Sequence, residues 1–228
     1  SDGVLSFPDR SAVFGQAEQK AKHSPLDIGQ NVLALRTGSG WNLFETGASS
    51  VEEYPTVGRL KDNLAYRGIA ASDVCGLLPT HGHLDHIGGV VNKTGALNFP
   101  SATLFMPETE LSFWLDEARL SGPSAGSARI ARLNLASAGD RVQTYCQAAE
   151  ILPGIHAFPS PGHTIAHTSF IITHNGESLF VAGDLVHHVS QIKNPQIATM
   201  FDFDRNQATA TRFRVLDFLA TTQMKVLF

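Results

Sequence analysis

The chain has 228 residues, of which 43% are hydrophobic and 17% are charged, a composition typical of a globular protein with a sizeable core. The net charge of −4 argues against nucleic-acid binding, which usually needs a basic face. No apolar run approaches the roughly 20 residues of a membrane helix. The two cysteines, Cys75 and Cys146, cannot form a framework of disulfides. The localisation stays unknown, because an exported protein would already have lost its leader.

The first half of the chain predicts strands alternating with helices. Strands are expected at 31–36, 41–45, 74–78 and 103–106. Helices are expected at 55–67, 107–120 and roughly 128–136. The first helix follows from Leu60 and Leu64, which share one face, and from Gly68 just past its end. Pro107 suits the first turn of the second helix.

The second half continues this alternation. Strands are expected at 141–145, 155–158, 169–173, 178–181 and 224–228. Asn175-Gly176 is typical of a hairpin turn, because both residues tolerate positive φ. Asp204 is expected to cap a helix over 205–220, with Val215 and Leu219 facing inward. Interleaved strands and helices without a linker predict one α/β domain over 1–228.

The run Thr80-His81-Gly82-His83-Leu84-Asp85-His86 holds three imidazoles and a carboxylate directly after a predicted buried strand. Two histidines separated by one residue can present their rings to one cation. Asp85-His86 can present a carboxylate and a ring to a second cation. Neutral imidazole and carboxylate are ligands for zinc and similar divalent first-row metals. The run therefore predicts a metal site rather than solvated loop histidines.

Two further candidate ligands follow later strands. His163 lies in Pro161-Gly162-His163-Thr164, after the strand at 155–158. Asp184 lies in Ala182-Gly183-Asp184, directly after the strand at 178–181. Each residue taken alone is more typical of a turn or a cap. Their order and strand-end positions, downstream of the first cluster, favour a role in metal binding.

This succession of ligands resembles that of the metallo-β-lactamase-fold hydrolases, whose pattern is H-x-H-x-D-H, then a His, an Asp and a last His. The likeness runs through nearly the whole chain. It implies an αβ/βα four-layer sandwich, in which two β-sheets pack face to face with helices outside and metals along one edge. The closest resemblance is to the branch containing methyl parathion hydrolase and lactonase-like enzymes. That resemblance rests on the stretches 47–64, 81–89, 113–115, 161–168 and 199–204.

The resemblance implies two divalent metal ions, with zinc as the expected metal. The implied ligands of the first ion are His81, His83 and His163. The implied ligands of the second ion are Asp85 and His86, and Asp184 is implied to bridge the two ions. A metal-bound hydroxide is the implied nucleophile. Asp85 is the implied catalytic residue, which orients the hydroxide and passes a proton to the leaving group. Thr80 and Thr164 flank ligand histidines and either orient them or bond within ordinary turns.

Two features depart from the family's pattern. Family members usually carry Asp-Thr-Gly at the end of the second strand, where the aspartate supports a ligand histidine, whereas this chain has Glu45-Thr46-Gly47. The last metal histidine normally follows the strand that 224–228 resembles, and the sequence ends there. Because a natural terminus is usually exposed and polar, we expect a truncated C-terminus and a second metal that binds weakly or is absent.

Other residues have two interpretations each. Phe113 and Trp114 either line an apolar substrate pocket or belong to the core, as helix aromatics more often do. His187 and His188 lie just after Asp184 and contact substrate or metal, or else are solvent-exposed loop residues. His167 is expected to pack or hydrogen bond locally.

The predicted function is hydrolysis of an ester-like bond in a lactone, aryl ester or organophosphate triester, with lactone as the expected native substrate. The alternatives are a β-lactam or thioester hydrolase, an iron-dependent oxidoreductase on the same fold, and a degenerate metal-free scaffold. The predicted partner is a small-molecule substrate, with no nucleic acid and no membrane, and a homodimer is left open.

Overall fold

The computed structural model describes residues 4–15, 25–49, 57–122 and 124–228, and the side chains from residue 30 onward within those ranges. The chain divides into two compact units. The first unit comprises 1–105 and 114–143, and the second comprises 106–113 and 144–228. The assignment of one domain to 1–228 stays a prediction.

The strands of the described residues form two sheets. They are β1 (Val4–Gly15), β2 (Pro25–Thr37), β3 (Gly40–Phe44), β4 (Val74–Leu78), β5 (Thr103–Pro107), β6 (Val142–Tyr145), β7 (Glu150–Leu152), β8 (Ile155–Pro159), β9 (Thr168–His174), β10 (Glu177–Val181) and β11 (Lys225–Leu227). One sheet has the order β1-β2-β3-β4-β5-β6, and the other has the order β11-β10-β9-β8-β7.

The α-helices are α1 (Leu60–Tyr66), α2 (Leu84–Ile87), α3 (Glu108–Leu115), α4 (Ala125–Ala138), α5 (Val189–Lys193) and α6 (Arg205–Thr222). Short 3₁₀ segments include Glu117–Leu120 and Gly183–Leu185. Among the described residues, no helix has the length and apolar character needed to cross a bilayer.

In the first sheet, parallel pairing places the residues that follow β3 and β4 at the same edge. β3 and β4 are parallel, and Phe44 lies opposite Leu78. Both strands are apolar and buried along most of their length, as parallel strands usually are. Because their carboxyl ends coincide, Glu45 and Thr80 emerge at the same edge, and the amide of Glu45 donates to the carbonyl of Leu78.

The second sheet positions Asp184 through an antiparallel hairpin. The β9–β10 hairpin turns through Asn175 and Gly176, whose φ angles are 50° and 79°. β10 ends at Val181, three residues before Asp184. The sheet packs through Phe180 against Val215 and Leu219 of α6, in a fully apolar cluster. This packing fixes the strand end from which Asp184 projects.

The predicted elements are mostly confirmed, and the differences have local causes. The expected helix at 55–67 begins only at Leu60; residues 50–56 lie outside the described ranges. The expected helix at 107–120 is interrupted, because Pro107 ends β5 and α3 stops at Leu115 before a 3₁₀ segment. Four short or unpatterned elements were not predicted from sequence: β1, β7, α2 and α5.

Candidate functional site

The H-x-H-x-D-H run forms a tight loop after β4 and continues into α2. His83 is the N-cap residue of α2 and has extended backbone angles. Gly82 lies under the buried ring of Trp114, and a Cβ at this position would lie 2.3 Å from Trp114 Nε1. Only glycine fits such a close approach. The glycine between the two histidines is therefore set by packing.

The loop brings the three histidines of the run together within the first unit. His81 Nε2 lies 2.8 Å from His83 Nδ1. The ring centroids of His81 and His86 are 4.0 Å apart. Asp85 Oδ2 lies 3.6 Å from His86 Nε2, and the Asp85 side chain is 42% exposed. Three imidazoles and a carboxylate thus converge, as the spacing predicted.

Thr80 fixes the tautomer of His81. Its hydroxyl donates to Glu45 Oε1 at 2.6 Å and lies 3.0 Å from His81 Nδ1. An ionised carboxylate only accepts hydrogen bonds, so the single hydroxyl proton points to Glu45. The hydroxyl oxygen then accepts the Nδ1–H of His81. This arrangement leaves the Nε2 lone pair of His81 available for a cation.

The side chain of Glu45, which is longer than that of aspartate, contacts both His86 and Thr80. Oε2 lies 3.1 Å from His86 Nδ1, and the carboxylate also accepts the amide of Thr80. Glu45 adopts a φ of 74°, a left-handed conformation that costs a non-glycine residue about 1–2 kcal/mol. Such strain persists where surrounding bonds hold it in place. The extra methylene relative to aspartate is therefore accommodated.

In the second unit, His163 lies between two carboxylates. Its Nδ1 is 3.1 Å from Asp202 Oδ1, and its Nε2 is 3.1 Å from Asp184 Oδ2. Asp202 also accepts the amide of Thr199 through Oδ2 at 3.0 Å. The Nδ1 contact is the carboxylate–histidine arrangement that orients metal-binding histidines. His163 and Asp184 are thus brought together as predicted.

The charges around His163 change its protonation. Burial alone would lower the pKa of His163, but the carboxylates of Asp184 and Asp202 raise it to about 9. Burial would raise the pKa of Asp202, yet its hydrogen bonds with His163 and with the Thr199 amide lower it. The metal-free ring is therefore an imidazolium at neutral pH. Metal binding at Nε2 must displace that proton.

Two other histidines hold Asp184 and its surroundings. His167 is fully buried and accepts the Asp184 amide at Nε2, while its Nδ1 lies 2.8 Å from the Ser160 hydroxyl. This local bonding matches the expectation for His167. His187 Nε2 lies 3.2 Å from Asp184 Oδ2. His188 instead caps α5 by accepting the Ser190 amide.

The predicted pocket aromatics are buried. Trp114 is 2% exposed and Phe113 is 8% exposed. Trp114 packs against His83, with ring centroids 5.5 Å apart. Phe113 packs edge-to-face against Phe203, at 5.3 Å. Their assignment to a substrate pocket stays a prediction.

Sequence reasoning missed two residues that support the site. Asp202 lies in Phe201-Asp202-Phe203, 39 positions from His163, and nothing in the sequence pattern joins them. Glu110 is buried and accepts from the Thr164 hydroxyl at 2.9 Å, so the Thr164 side chain bonds to α3. Thr80, by contrast, does contact its neighbouring histidine ring. Neither missed contact has a local sequence signal.

Residues 26–222 match the sequence profile of the metallo-beta-lactamase superfamily. No curated protein matches this chain in sequence. Among solved structures, AidC, described as a dizinc quorum-quenching lactonase, is 24% identical with a TM-score of 0.85, and the match covers 98% of this chain and 85% of AidC. The hydrolase AbOPH is 25% identical with a TM-score of 0.87, over 98% and 84%. A probable metal-dependent hydrolase from Staphylococcus aureus is 19% identical with a TM-score of 0.81, over 100% and 88%.

The chain belongs to the metallo-β-lactamase superfamily. The predicted α/β fold of that family is confirmed, with two sheets and accompanying helices. It is an enzyme of the hydrolase class. Its histidine and aspartate side chains supply donors for divalent metal. The likeness to a particular branch of the superfamily stays a resemblance.

Proposed function

We propose that this protein is a dinuclear zinc hydrolase that cleaves an ester-like bond, with a lactone as its native substrate. One observation carries the proposal. The ring nitrogens of His81, His86 and His163 that would face away from a metal each lie within 3.1 Å of an oxygen acceptor. Partners of this kind orient ligand histidines and raise their basicity.

The assignment of ligands follows the family pattern. By that pattern, His81, His83 and His163 would be the ligands of one ion. Asp85 and His86 would be the ligands of the other, and Asp184 would be the shared carboxylate. This donor set of imidazole nitrogens and carboxylate oxygens fits zinc and excludes a preference for calcium or magnesium, which take oxygen ligands. When bound, two such ions would supply an activated water and polarise the electrophilic oxygen of the substrate.

The chain's own residues perform the remaining steps. Asp85 holds a carboxylate that is partly exposed to solvent, so it can take a proton from the attacking water and release it toward the leaving group. Glu45 and Thr80 are buried and hold the ligand rings in place during turnover. No serine or cysteine nucleophile is needed.

The lactone assignment is supported by neighbours of the same fold. AidC is described as a dizinc quorum-quenching lactonase, and AbOPH is described as a hydrolase. A neutral substrate with an apolar body fits the net charge of −4, since a thioesterase for an anionic substrate would favour basic residues near its ligands. The proposed partner is a small molecule rather than nucleic acid, and a homodimer is compatible with this activity.

The experiment compares turnover on matched substrates by protein loaded with two equivalents of zinc. Lactones should be hydrolysed with a higher kcat/KM than phosphotriesters, thioesters or β-lactams. The variant His83→Ala should abolish hydrolysis and reduce bound metal to one equivalent or less. The control His174→Ala changes an exposed histidine at the end of β9 and should leave both quantities unchanged.

Three results would contradict this proposal. Full activity in His83→Ala would refute the ligand assignment. Purified protein that carries iron and consumes oxygen would favour the oxidoreductase alternative on the same fold. A higher kcat/KM on β-lactams or thioesters would replace the lactone with that substrate class.

A further inference from the structure

His187 lies three positions after Asp184, and its side chain is only 12% exposed. The amide of His187 donates to Gln191 Oε1 at 2.7 Å. Gln191 is itself buried and donates from Nε2 to the carbonyl of Ile197 at 2.9 Å. A buried amide therefore fixes the backbone from which the His187 ring projects. The orientation of the ring is built into the fold.

Both ring nitrogens of His187 are buried: Nδ1 has no hydrogen-bond partner among the described residues, and Nε2 has only the contact with Asp184 Oδ2 at 3.2 Å, whose geometry is not that of a hydrogen bond. A buried polar group left without a partner costs about 1–3 kcal/mol, and each such group calls for an explanation, such as an ion or a water. The ring has aromatic neighbours, His163 at 4.9 Å and Phe201 at 6.2 Å between centroids. Neither neighbour satisfies the nitrogens of His187.

The distances around Asp184 Oδ2 match those between ligands of one metal ion. His163 Nε2 lies 3.1 Å from this oxygen, and His187 Nε2 lies 3.2 Å from it. Bonds of about 2.0–2.2 Å at tetrahedral or octahedral angles place neighbouring donors roughly 3.0–3.5 Å apart. Donor atoms of His163, Asp184 and His187 all lie within 4.8 Å of one another. One cation can therefore contact all three.

We propose that His187 is a metal ligand that acts together with His163 and Asp184. The family pattern given above has no ligand three residues after its aspartate. In this chain, two imidazoles and one carboxylate form a donor set within a single unit. Such a set suits zinc and other first-row divalent metals. The inference rests on the proposed metal-dependent function, and it adds a ligand to it.

The test uses the full chain and measures zinc affinity by competition with a chromophoric chelator. His187→Ala removes the donor, and His187→Phe keeps a ring beside Phe201 without offering a nitrogen. Both variants should bind one zinc ion at least tenfold more weakly than the unmutated protein. His187→Cys supplies a thiolate, so it should recover part of the affinity and add a thiolate charge-transfer band to the cobalt-substituted protein. The matched control His174→Ala should bind zinc as the unmutated protein does.

Zinc affinity within twofold of the unmutated value in folded His187→Ala and His187→Phe overturns the proposal. Loss of activity with unchanged zinc affinity also overturns the proposal, because His187 would then contact the substrate rather than the metal. If the variants do not fold, a measurement on the unmutated protein tests the proposal instead. Zinc added to protein with ¹⁵N-labelled histidine should shift the ring nitrogen resonances of His187, and unshifted resonances overturn the proposal.

His163→Ala separates this inference from the proposed function. If His163→Ala loses zinc and the His187 variants do not, only the role of His187 fails. If His163→Ala also binds zinc normally, the proposed metal-dependent function fails as well.

Discussion

The carboxylate of Glu45 lies 3.1 Å from Nδ1 of His86. It binds the hydroxyl of Thr80 as well, at 2.6 Å, and that hydroxyl contacts His81. One buried acid thus reaches two candidate ligand rings, directly and through a hydroxyl. Because these contacts fix the ring orientations, changes at Glu45 or Thr80 should appear first in metal affinity.

Thr80→Val tests this network. Valine matches the shape of threonine but removes the oxygen that accepts the Nδ1–H of His81. We expect zinc affinity to fall about 10–100-fold, as for other partners of ligand histidines. A chelator competition assay measures the loss. The control Thr173→Val changes an exposed hydroxyl in β9 and should bind zinc normally, and an affinity within twofold of the unmutated value in Thr80→Val would contradict the assigned tautomer.

Gly82→Ala tests the packing of the ligand loop. The new methyl would meet the indole of Trp114 at 2.3 Å, and this ring is buried and cannot move aside. Overpacking of this kind costs about 1–3 kcal/mol, so both the free energy of unfolding and the zinc affinity should fall. Urea denaturation and zinc titration measure the two effects.

Gly126 provides the matched control for that change. It lies in the first turn of α4, and a Cβ there would meet nothing within 4 Å. Gly126→Ala should be neutral or stabilise the protein by up to about 1 kcal/mol. Equal effects of Gly82→Ala and Gly126→Ala would show that Trp114 does not restrict the loop.

Asp202→Asn tests the charge pair in metal-free protein. The pKa of His163 is raised from 6.5 to about 9, so the stability it contributes is complete below pH 6.5 and is lost as the pH rises through 9. The pKa of Asp202 is lowered from 3.8, so its contribution is present above pH 3.8 and is lost as the pH falls through the lowered value. The free energy of unfolding should therefore be higher in the unmutated protein than in Asp202→Asn, and this difference should be largest between about pH 4 and 6.5.

Urea unfolding with a chelator at a series of pH values measures this difference. Asp184 still faces His163 in the variant, so part of the pH dependence should remain. A difference that grows between pH 6.5 and 9 would contradict the charge pair. Asp204→Asn, at the exposed cap of α6, serves as the control, and its effect should not follow the titration of His163.

The sequence predicted much of the candidate site because its main signal is local. His81, His83 and His86 lie within one loop, so their spacing along the chain already limits their separation in space. Asp202 gave no such signal, since its contact with His163 depends on how the chain returns after α5. The conformation of Glu45 was also hidden, because a φ of 74° is set by tertiary contacts rather than by local preference. Short elements such as β7 and α5 escaped prediction because three to five residues hold too little periodicity.

Arg212→Met tests how the second unit holds this returning segment. Arg212 is fully buried in α6, and its guanidinium donates to the carbonyls of Leu185, Pro195 and Ile197 at 2.8–2.9 Å. Nη2 also lies 3.7 Å from Asp202 Oδ2. Methionine has a similar length but no donors, so it leaves the carbonyls unpaired and the Asp202 charge uncompensated. Breaking a buried pair in this way costs about 3–5 kcal/mol.

Arg214→Met is the matched control, since Arg214 lies two positions after Arg212 on the same helix and is exposed. Arg214 donates to a single carbonyl, that of Pro159. Its replacement should change the free energy of unfolding by no more than about 1 kcal/mol. Urea unfolding could show that Arg212→Met loses as little free energy of unfolding as Arg214→Met. The segment carrying Asp202 would then have to be held by its backbone contacts alone, such as the hydrogen bond from the Phe203 amide to the His163 carbonyl. The two arginines therefore separate a buried positioning role from an ordinary surface contact.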